Sequence, residues 1–255
     1  MGAGFTAIKN SSIKLTRSLR EKYPHILDGL AISILSGKNF RQSLEKQEDI
    51  KQIHFTKEEL DYCKNRVTSL AGRFAAKMAV NEALQKQIPW KNINISSSQT
   101  GEPVLSFSDN INSSVSVSIS HEEDLVAAVA GCASQGKTVA VGIDAASITR
   151  ISALIPQTKI MKKILTSQEL DEINNNPVSM AKKWSGKEAV SKAIGIGIWH
   201  GGSLQEIEIL TDKKKPFVRL HGKVLEQAKA KGLHTWMLDY ISDKNFVLAS
   251  VFATD

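Results

Sequence analysis

The chain has 255 residues, of which 42% are hydrophobic and 6% aromatic, and its formal net charge is +7. This length suits one large or two small domains. Its two cysteines are too few for a disulfide framework and fit a reducing compartment, and no apolar run is long enough to span a bilayer. The basic charge fits a solvated surface or an anionic partner, but aromatic residues are not interleaved with basic ones as in nucleic-acid-binding modules. We therefore expect a cytoplasmic protein with no membrane span and no nucleic-acid partner.

Residues 1–27 form a basic, hydroxyl-rich leader in which Glu21 is the first acidic residue. Import into an organelle is one interpretation of this composition. N-myristoylation is another, because residues 2–6 fit the loose pattern for it. A frayed or helical leader without a targeting role accounts for the same residues, and we favour that interpretation.

Two parts of the chain resemble each other. Residues 55–84 align with residues 165–194 without a gap, and eleven of the thirty positions are identical. Three shorter pairs of segments match in the same order, namely 28–34 with 141–147, 101–107 with 214–220, and 117–130 with 239–252. The sequence therefore predicts two similar units, residues 28–134 and residues 138–255, joined by small and polar residues near 133–137.

Each unit begins with an apolar strand, followed by a basic amphipathic segment. Thr56 with Glu59, and Thr166 with Glu169, then have capping-box spacing close to a long helix. Two or three strands with alternating apolar residues close each unit, and the second unit adds a helix within residues 220–232. These elements predict an α+β fold with antiparallel sheets. We expect the two similar lobes to form a pseudo-dimer about a pseudo-twofold axis.

The second unit carries a group of charged residues. Asp144 ends an apolar strand, while Trp184, Glu188 and Lys192 are four residues apart and so share one face of the long helix. A carboxylate from the strand and one from the helix would form a sparse oxygen site, which Mg²⁺ completes with water and substrate phosphate. Lys192 would add a cation for the same phosphate. The alternative is an ordinary Glu–Lys pair on a solvated helix face.

The first unit lacks these residues. The alignment places Ala31 at the position of the strand carboxylate, Met78 at that of the helix carboxylate and Glu82 at that of the lysine. The first unit instead keeps His121 at a strand end, where the second has Asp243. A lone histidine at a strand end is more often a structural hydrogen-bonding residue than a ligand or catalyst. The reciprocal loss nevertheless favours one composite site, to which each unit contributes what the other lacks.

Four motifs in this relative order resemble those of the 4′-phosphopantetheinyl transferases: G-x-P at 101–103, "SISH" at 118–121, "GID" at 142–144 and "WSGKEAVSK" at 184–192. Each unit is also similar to a whole holo-[acyl-carrier-protein] synthase, a small protein that works as a trimer. Over about residues 28–253 the chain looks like two such units fused. The resemblance implies the fold of this family and transfer of the 4′-phosphopantetheine arm of coenzyme A to a serine of an apo acyl carrier protein. Adenosine 3′,5′-bisphosphate would be the other product.

The resemblance implies catalytic roles for three residues of the second unit. Asp144 and Glu188 would bind Mg²⁺ on the coenzyme A pyrophosphate. Glu188 would also take the serine proton, directly or through a water molecule. Lys192 would neutralise phosphate charge and help the leaving group. Electrostatic help of this kind is what phosphoryl-type transfer mainly requires.

The same resemblance implies contacts with both substrates. Arg73 and His121 of the first unit would hold the 3′-phosphate or adenosine end of coenzyme A, and Lys187 is a further phosphate candidate. The carrier protein has an acidic helix, and the basic residues implied to meet it are Arg150, Lys159, Lys162 and Lys163. The positive net charge suits such a partner. With one interface made inside the chain, we expect a monomer.

Some residues depart from the family's pattern. Ala145 and Ala146 follow the strand carboxylate where some longer relatives have a third carboxylate, and Glu102 replaces a basic residue in the G-x-P turn. The alternative function is a non-catalytic module that binds a carrier protein or coenzyme A, although the three retained charged residues favour the enzyme. The glycine-rich segment 195–202 follows a helix, so we interpret Gly195 as a helix C-cap rather than part of a nucleotide-binding loop.

Overall fold

The structure is a computed structural model that describes residues 27–47, 49–108, 114–133, 137–196, 203–213 and 215–255. The predicted leader, except for Leu27, lies outside the described residues. The chain divides into two compact units between Lys137 and Thr138. Within the described ranges, no helix combines the length and the apolar character needed to cross a membrane.

The first unit is built on a three-stranded antiparallel sheet. β1 (Leu27–Ser36) and β4 (Val115–Glu122) both pair with β5 (Leu125–Ala133), while β2 (Ile93–Ser97) and β3 (Pro103–Phe107) form a separate antiparallel hairpin. Its helices are α1 (Gly37–Lys46), α2 (Ile50–His54), α3 (Lys57–Cys63) and α4 (Val67–Leu84). The alanine-rich helix α4 packs on the sheet, and the buried side chains between them form the core of the unit.

The second unit repeats this plan. β6 (Val139–Ser147) and β9 (Thr235–Ser242) flank β10 (Phe246–Thr254), while β7 (Ile207–Asp212) and β8 (Lys215–Leu220) form the hairpin. Its helices are α5 (Ile148–Ser152), α6 (Thr158–Ile164), α7 (Ser167–Ile173), α8 (Pro177–Ile194) and α9 (Gly222–Ala230). The α+β fold, the antiparallel pairing, the repetition and the additional helix of the second unit are thus confirmed. The pseudo-dimeric arrangement stays a prediction.

Among the residues that the structure describes, four strands, not two or three, follow the long helix in each unit. The prediction missed strands because the second strand of each hairpin has a weak apolar pattern. Pro103 begins β3 and Pro216 lies at the start of β8, and in both strands most side chains are only partly buried or exposed. Edge strands of this kind lack the alternation that marks a half-buried strand.

The predicted helix ends are confirmed. Thr56 Oγ1 accepts a hydrogen bond from Glu59 N at 3.2 Å and Thr56 N donates to Glu59 Oε2 at 2.8 Å, while the corresponding distances for Thr166 and Glu169 are 3.3 and 2.9 Å. Each capping box satisfies two backbone N–H groups that a helix start would otherwise leave without partners. Gly195 ends α8 with a φ of 72°, the left-handed conformation that glycine adopts without strain.

The structure corrects one equivalence between the units. Ser36 and Ser147 each end the first strand of a unit and cap the following helix with their side chains, so they are structural counterparts. The residue three positions before Ser36 is Ser33, and the residue three positions before Ser147 is Asp144. The counterpart of Asp144 is therefore Ser33, and the assignment of Ala31 was wrong because the sequence match misplaced the strand register.

The structure also corrects the equivalence between the units at the end of β4. His121 pairs with Val126 and Ser242 pairs with Val247, and each pair closes a hairpin with four residues between its members. Ser242 is therefore the counterpart of His121, and the assignment of Asp243 was wrong by one residue. In a strand such a slip moves a side chain to the opposite face, so the distinction matters.

Candidate active site

A close approach between β6 and α8 brings two carboxylates together. A Cβ atom added at Gly142 would lie 1.8 Å from the carbonyl oxygen of Ala189, so only glycine allows the strand and the helix to meet here. Asp144 follows on the same face of β6, and its side chain is almost fully buried. Glu188 precedes Ala189 on α8, close enough for the charge of Asp144 to act on it.

Lys192 lies one helical turn after Glu188 and contacts the same strand. Its Nζ donates to Asp144 Oδ1 at 2.8 Å and to the carbonyl oxygen of Ile143 at 3.0 Å. The side chain of Lys192 is 32% exposed, and that of Asp144 is 10% exposed. Trp184, one turn before Glu188, packs into the apolar cluster under α5 and α6. The group is therefore not an isolated Glu–Lys pair on a solvated face, which was the alternative interpretation.

Burial, and then the neighbouring Asp144 carboxylate, raise the pKa of Glu188 from 4.5 to about 7, while Lys192 and Arg150 lower it. Two neighbouring carboxylates repel each other unless a proton or a cation reduces their charge. Mg²⁺ binds to one or two protein carboxylates and retains water or phosphate oxygens elsewhere. Asp144 and Glu188 thus fit a magnesium ion by donor type and charge. Within the described part of the chain, no group of three or more histidine, cysteine or carboxylate side chains could hold a metal.

The matching point of the first unit has different chemistry. Ser33, the counterpart of Asp144, donates a hydrogen bond from its hydroxyl to the sulfur of Met78 at 3.7 Å, and Met78 is the counterpart of Glu188. The backbone frame is shared, but the two carboxylates are replaced by a hydroxyl and a thioether. At these two matched positions of the described residues, the second unit therefore has the carboxylate oxygens that suit a divalent cation and the first unit does not.

The structure corrects the phosphate role expected for Lys187. Its ammonium is fully buried, forms an ion pair with Glu169 at 2.7 Å and also donates to the carbonyl oxygens of Leu204 and Ile207. These three acceptors use all its protons. Lys77, the counterpart of Lys187 in the first unit, forms the same kind of buried pair at 2.6 Å with the glutamate of its own capping box. Because the first unit keeps this ion pair although it lacks counterparts of the Asp144 and Glu188 carboxylates, the role of the pair is to hold the long helix in the fold.

Arg73 lies on α4, and its guanidinium is bound by neutral groups. It donates from Nε to the carbonyl oxygen of Ile95 at 2.9 Å, from Nη1 to that of Ser69 at 3.3 Å and from Nη2 to the hydroxyl of Ser97 at 3.0 Å. The guanidinium carbon also lies 4.5 Å from the ring centre of Tyr62. The side chain is buried, so the guanidinium carries its charge with little access to water.

The other predicted residues lie on exposed parts of their own units. His121 is exposed and stands one residue before the end of β4. Arg150 is exposed on α5, yet its charge acts on Glu188, so it lies near the carboxylate pair. The three predicted lysines of α6 are all exposed, and they are Lys159, Lys162 and Lys163. Ile160, between them, is 38% exposed, which gives the basic helix an apolar spot.

Sequence reasoning missed Tyr62 and its counterpart Glu172, each of which lies beside a cation of its own unit. Tyr62 lies against Arg73, and its counterpart Glu172 forms an ion pair at 2.5 Å with Lys183, the counterpart of Arg73. The available signal was the gapless alignment, in which a neutral aromatic residue of the first unit is aligned with a carboxylate of the second. This difference points to a site only once the structure shows that Arg73 lies beside Tyr62 and Lys183 beside Glu172.

Two family models match the chain. One, described as the 4′-phosphopantetheinyl transferase superfamily, matches residues 140–249, and one described as the N-terminal part of 4′-phosphopantetheinyl transferase matches residues 38–133. The holo-[acyl-carrier-protein] synthase of Hydrogenovibrio crunogenus is 33% identical over 121 residues, which cover 45% of this chain and 95% of the relative. The synthase of Vibrio vulnificus is 31% identical over 119 residues, with 44% and 94% covered.

Solved structures of synthases are similar as well. The holo-ACP-synthase of Plasmodium yoelii has 29% identity and a TM-score of 0.41, and 47% of this chain and 98% of that chain are covered. The synthase of Helicobacter pylori, solved in complex with coenzyme A, has 27% identity and a TM-score of 0.41, with 44% and 98% covered.

The family models and the curated relatives show that the chain belongs to the 4′-phosphopantetheinyl transferase superfamily. It is an enzyme of the transferase class, as the resemblance implied. A nearly complete synthase matches less than half of this chain, as expected of a chain that contains two synthase-like units.

Proposed function

We propose that the chain transfers the 4′-phosphopantetheine arm of coenzyme A to a serine hydroxyl of an apo acyl carrier protein. The serine oxygen forms a bond to the phosphorus that carries the arm, the bond from that phosphorus to the bridging oxygen breaks, and adenosine 3′,5′-bisphosphate leaves. The single observation that supports this reaction best is the grouping of two carboxylates with one cation, in which Lys192 donates to Asp144 Oδ1 at 2.8 Å and Glu188 lies one helical turn before Lys192 on α8.

Glu188 suits the role of proton acceptor. A general base works best when its pKa lies near the operating pH, because it is then both ionised and able to bind a proton. In the metal-free chain, burial and the Asp144 carboxylate raise the pKa of Glu188 to about 7, and a bound Mg²⁺ would lower this pKa again. The proton of the serine hydroxyl passes to this carboxylate, directly or through a water molecule.

Asp144 and Glu188 would hold Mg²⁺, and this ion would supply positive charge for the pyrophosphate oxygens. Lys192 is fixed on the Asp144 side of the pair by two hydrogen bonds. Its ammonium supports charge that develops on the departing phosphate. This assignment needs few side chains, because phosphoryl-type transfer depends mainly on positioning and charge neutralisation.

We assign substrate recognition to basic residues. Arg73 and His121 of the first unit hold the nucleotide end of coenzyme A, for which the guanidinium of Arg73 offers a charge bound only to neutral groups. Arg150, with Lys159, Lys162 and Lys163, meets the acidic surface of the carrier protein. Ile160 adds apolar contact at the centre of that helix, as buried aromatic or aliphatic residues do in protein interfaces.

Intact-protein mass spectrometry tests the proposal. The chain is mixed with coenzyme A, Mg²⁺ and each of several apo carrier proteins, and the carrier is expected to gain the mass of the phosphopantetheine arm. Glu188→Gln should abolish the gain, and Met78→Gln places the same side chain at the matched position of the first unit and should leave the rate nearly unchanged. Coenzyme A binding without any mass gain on the carriers would favour a non-catalytic binding module instead.

A further inference from the structure

The second unit contains a polar cavity that the transfer reaction does not use. It has a volume of about 340 Å³, and the polar residues that line it include Glu172, Ser179, Lys182, Lys183 and Thr211. Two lysines and two hydroxyl groups around one cavity favour an anionic ligand with several oxygen atoms, such as a phosphate. A carboxylate in the same wall opposes such a ligand.

This cavity corresponds to the surroundings of Arg73 in the first unit. Lys183 is the counterpart of Arg73, and each cation donates to the carbonyl oxygen of one hairpin residue, Ile209 at 2.5 Å and Ile95 at 2.9 Å. The backbone nitrogens of these two hairpin residues donate at 2.9 Å to the capping-box glutamates of their units. The second residue after each is Thr211 or Ser97, so the two sites share one frame.

The two sites differ in how the cation is neutralised. In the second unit, Glu172 accepts from Lys183 Nζ at 2.5 Å and from Thr211 N at 3.2 Å, so one carboxylate joins both donors. In the first unit the same position is Tyr62, whose ring contacts Arg73 but carries no negative charge.

A buried cation without a counter-ion is unfavourable, and a bound anion relieves that cost. The first unit offers neutral oxygens and an aromatic ring to Arg73, whereas the second unit offers a carboxylate to Lys183. A phosphate monoester has the charge and the oxygen acceptors that the site around Arg73 lacks. In the second unit the carboxylate already supplies both.

We propose that Glu172 takes, in the second unit, the place that a phosphate monoester takes beside Arg73 in the first unit. Glu172 thereby occupies a second phosphate position, while Tyr62 and Ser97 leave the position beside Arg73 without a carboxylate. The part that concerns Arg73 rests on the proposed function, in which this residue holds the nucleotide end of coenzyme A. The part that concerns Glu172 does not depend on it.

The test is the number of adenosine 3′,5′-bisphosphate molecules bound per full-length chain, measured by isothermal titration calorimetry without Mg²⁺. We expect one for the unmodified chain and two for Glu172→Gln. Tyr62→Glu should weaken the original binding at least tenfold, because it places a carboxylate beside Arg73. Glu226→Gln makes the same charge change on an exposed part of α9 and should leave the number at one.

Each result separates the two parts of the proposal. One molecule bound by both the unmodified chain and a folded Glu172→Gln variant would overturn the role of Glu172 and leave the proposed function standing. No binding to the unmodified chain but one molecule on Glu172→Gln would support the role of Glu172 and remove Arg73 from the proposed function. If Glu172→Gln fails to fold by circular dichroism, the double variant Glu172→Tyr with Lys183→Arg, which copies the pair found in the first unit, decides. One molecule bound by both the unmodified chain and this folded variant would overturn the role of Glu172.

Discussion

Replacing Glu188 by glutamine should stabilise the protein at the same time as it abolishes transfer. The pKa of Glu188 is about 7 in the folded chain against an ordinary value of 4.5. Between these values the folded chain binds a proton that the unfolded chain has released, so the folding stability of the unmodified protein falls as the pH rises from 4.5 to 7. At roughly 1.4 kcal/mol per pH unit, the total loss is about 3 kcal/mol.

Glutamine keeps the shape of the side chain but carries no charge, so the variant avoids this loss. Glu188→Gln should therefore exceed the unmodified chain in unfolding free energy by up to about 3 kcal/mol near pH 8, and by much less near pH 4. Urea unfolding in EDTA measures the difference at both pH values. In a Trp90→Phe background the remaining tryptophans all lie in the second unit, so their fluorescence reports on the unit that contains Glu188.

Two controls sharpen the measurement. Met78→Gln, at the matched position of the first unit, should show no such dependence on pH, because it removes no carboxylate. Saturating Mg²⁺ near pH 8 should stabilise the unmodified chain and leave Glu188→Gln nearly unchanged, since a cation bound only to the folded state stabilises it. If Glu188→Gln is no more stable than the unmodified chain near pH 8, the conclusion that burial and the Asp144 carboxylate raise the pKa of Glu188 is refuted.

Two other substitutions test the structural and the binding assignments. Lys187→Met, and independently Lys77→Met, should each lower the unfolding free energy measured in urea by about 3–5 kcal/mol, because each leaves a buried glutamate charge without its partner. Removing the partner glutamate as well should recover much of this loss. If Lys187→Met has normal stability but no transfer activity, Lys187 belongs to the active site instead. Reversing the charges of Lys159, Lys162 and Lys163 to glutamate should raise the KM for the carrier protein at least tenfold at low salt without changing that for coenzyme A, and an equal rise in both would contradict a carrier-binding surface.

The parts of the fold that depend on local signals were predictable from the sequence. The capping boxes at Thr56 and Thr166 and the glycine end of α8 follow from side chains that satisfy nearby backbone groups, so spacing alone identifies them. The carboxylate pair was also predictable. Its members lie on a strand and a helix whose apolar patterns are clear, and the resemblance to a family pointed to the same residues.

Tertiary register was not predictable in the same way. The sequence match made Ala31 the counterpart of Asp144, whereas the serine caps place Ser33 there. The role of Lys187 was missed for a related reason, because its partner Glu169 lies eighteen residues earlier and is buried with it only in the folded unit. Spacing places two residues on one face of an element, but it does not reveal which element covers that face.

A comparison of the two units indicates why one shared backbone arrangement supports two different kinds of site. The first unit has a thioether, Met78, at the position of Glu188. It has an aromatic ring, Tyr62, at the position of the carboxylate of Glu172. At both positions the second unit has a carboxylate where the first has a neutral side chain. The second unit therefore offers a carboxylate pair and a neutralised cation, whereas the described residues of the first offer Arg73 neutral hydrogen-bond acceptors and no carboxylate pair at the matched point. We therefore propose that the distribution of charge, rather than the backbone, decides which unit binds a metal ion and which binds a phosphate.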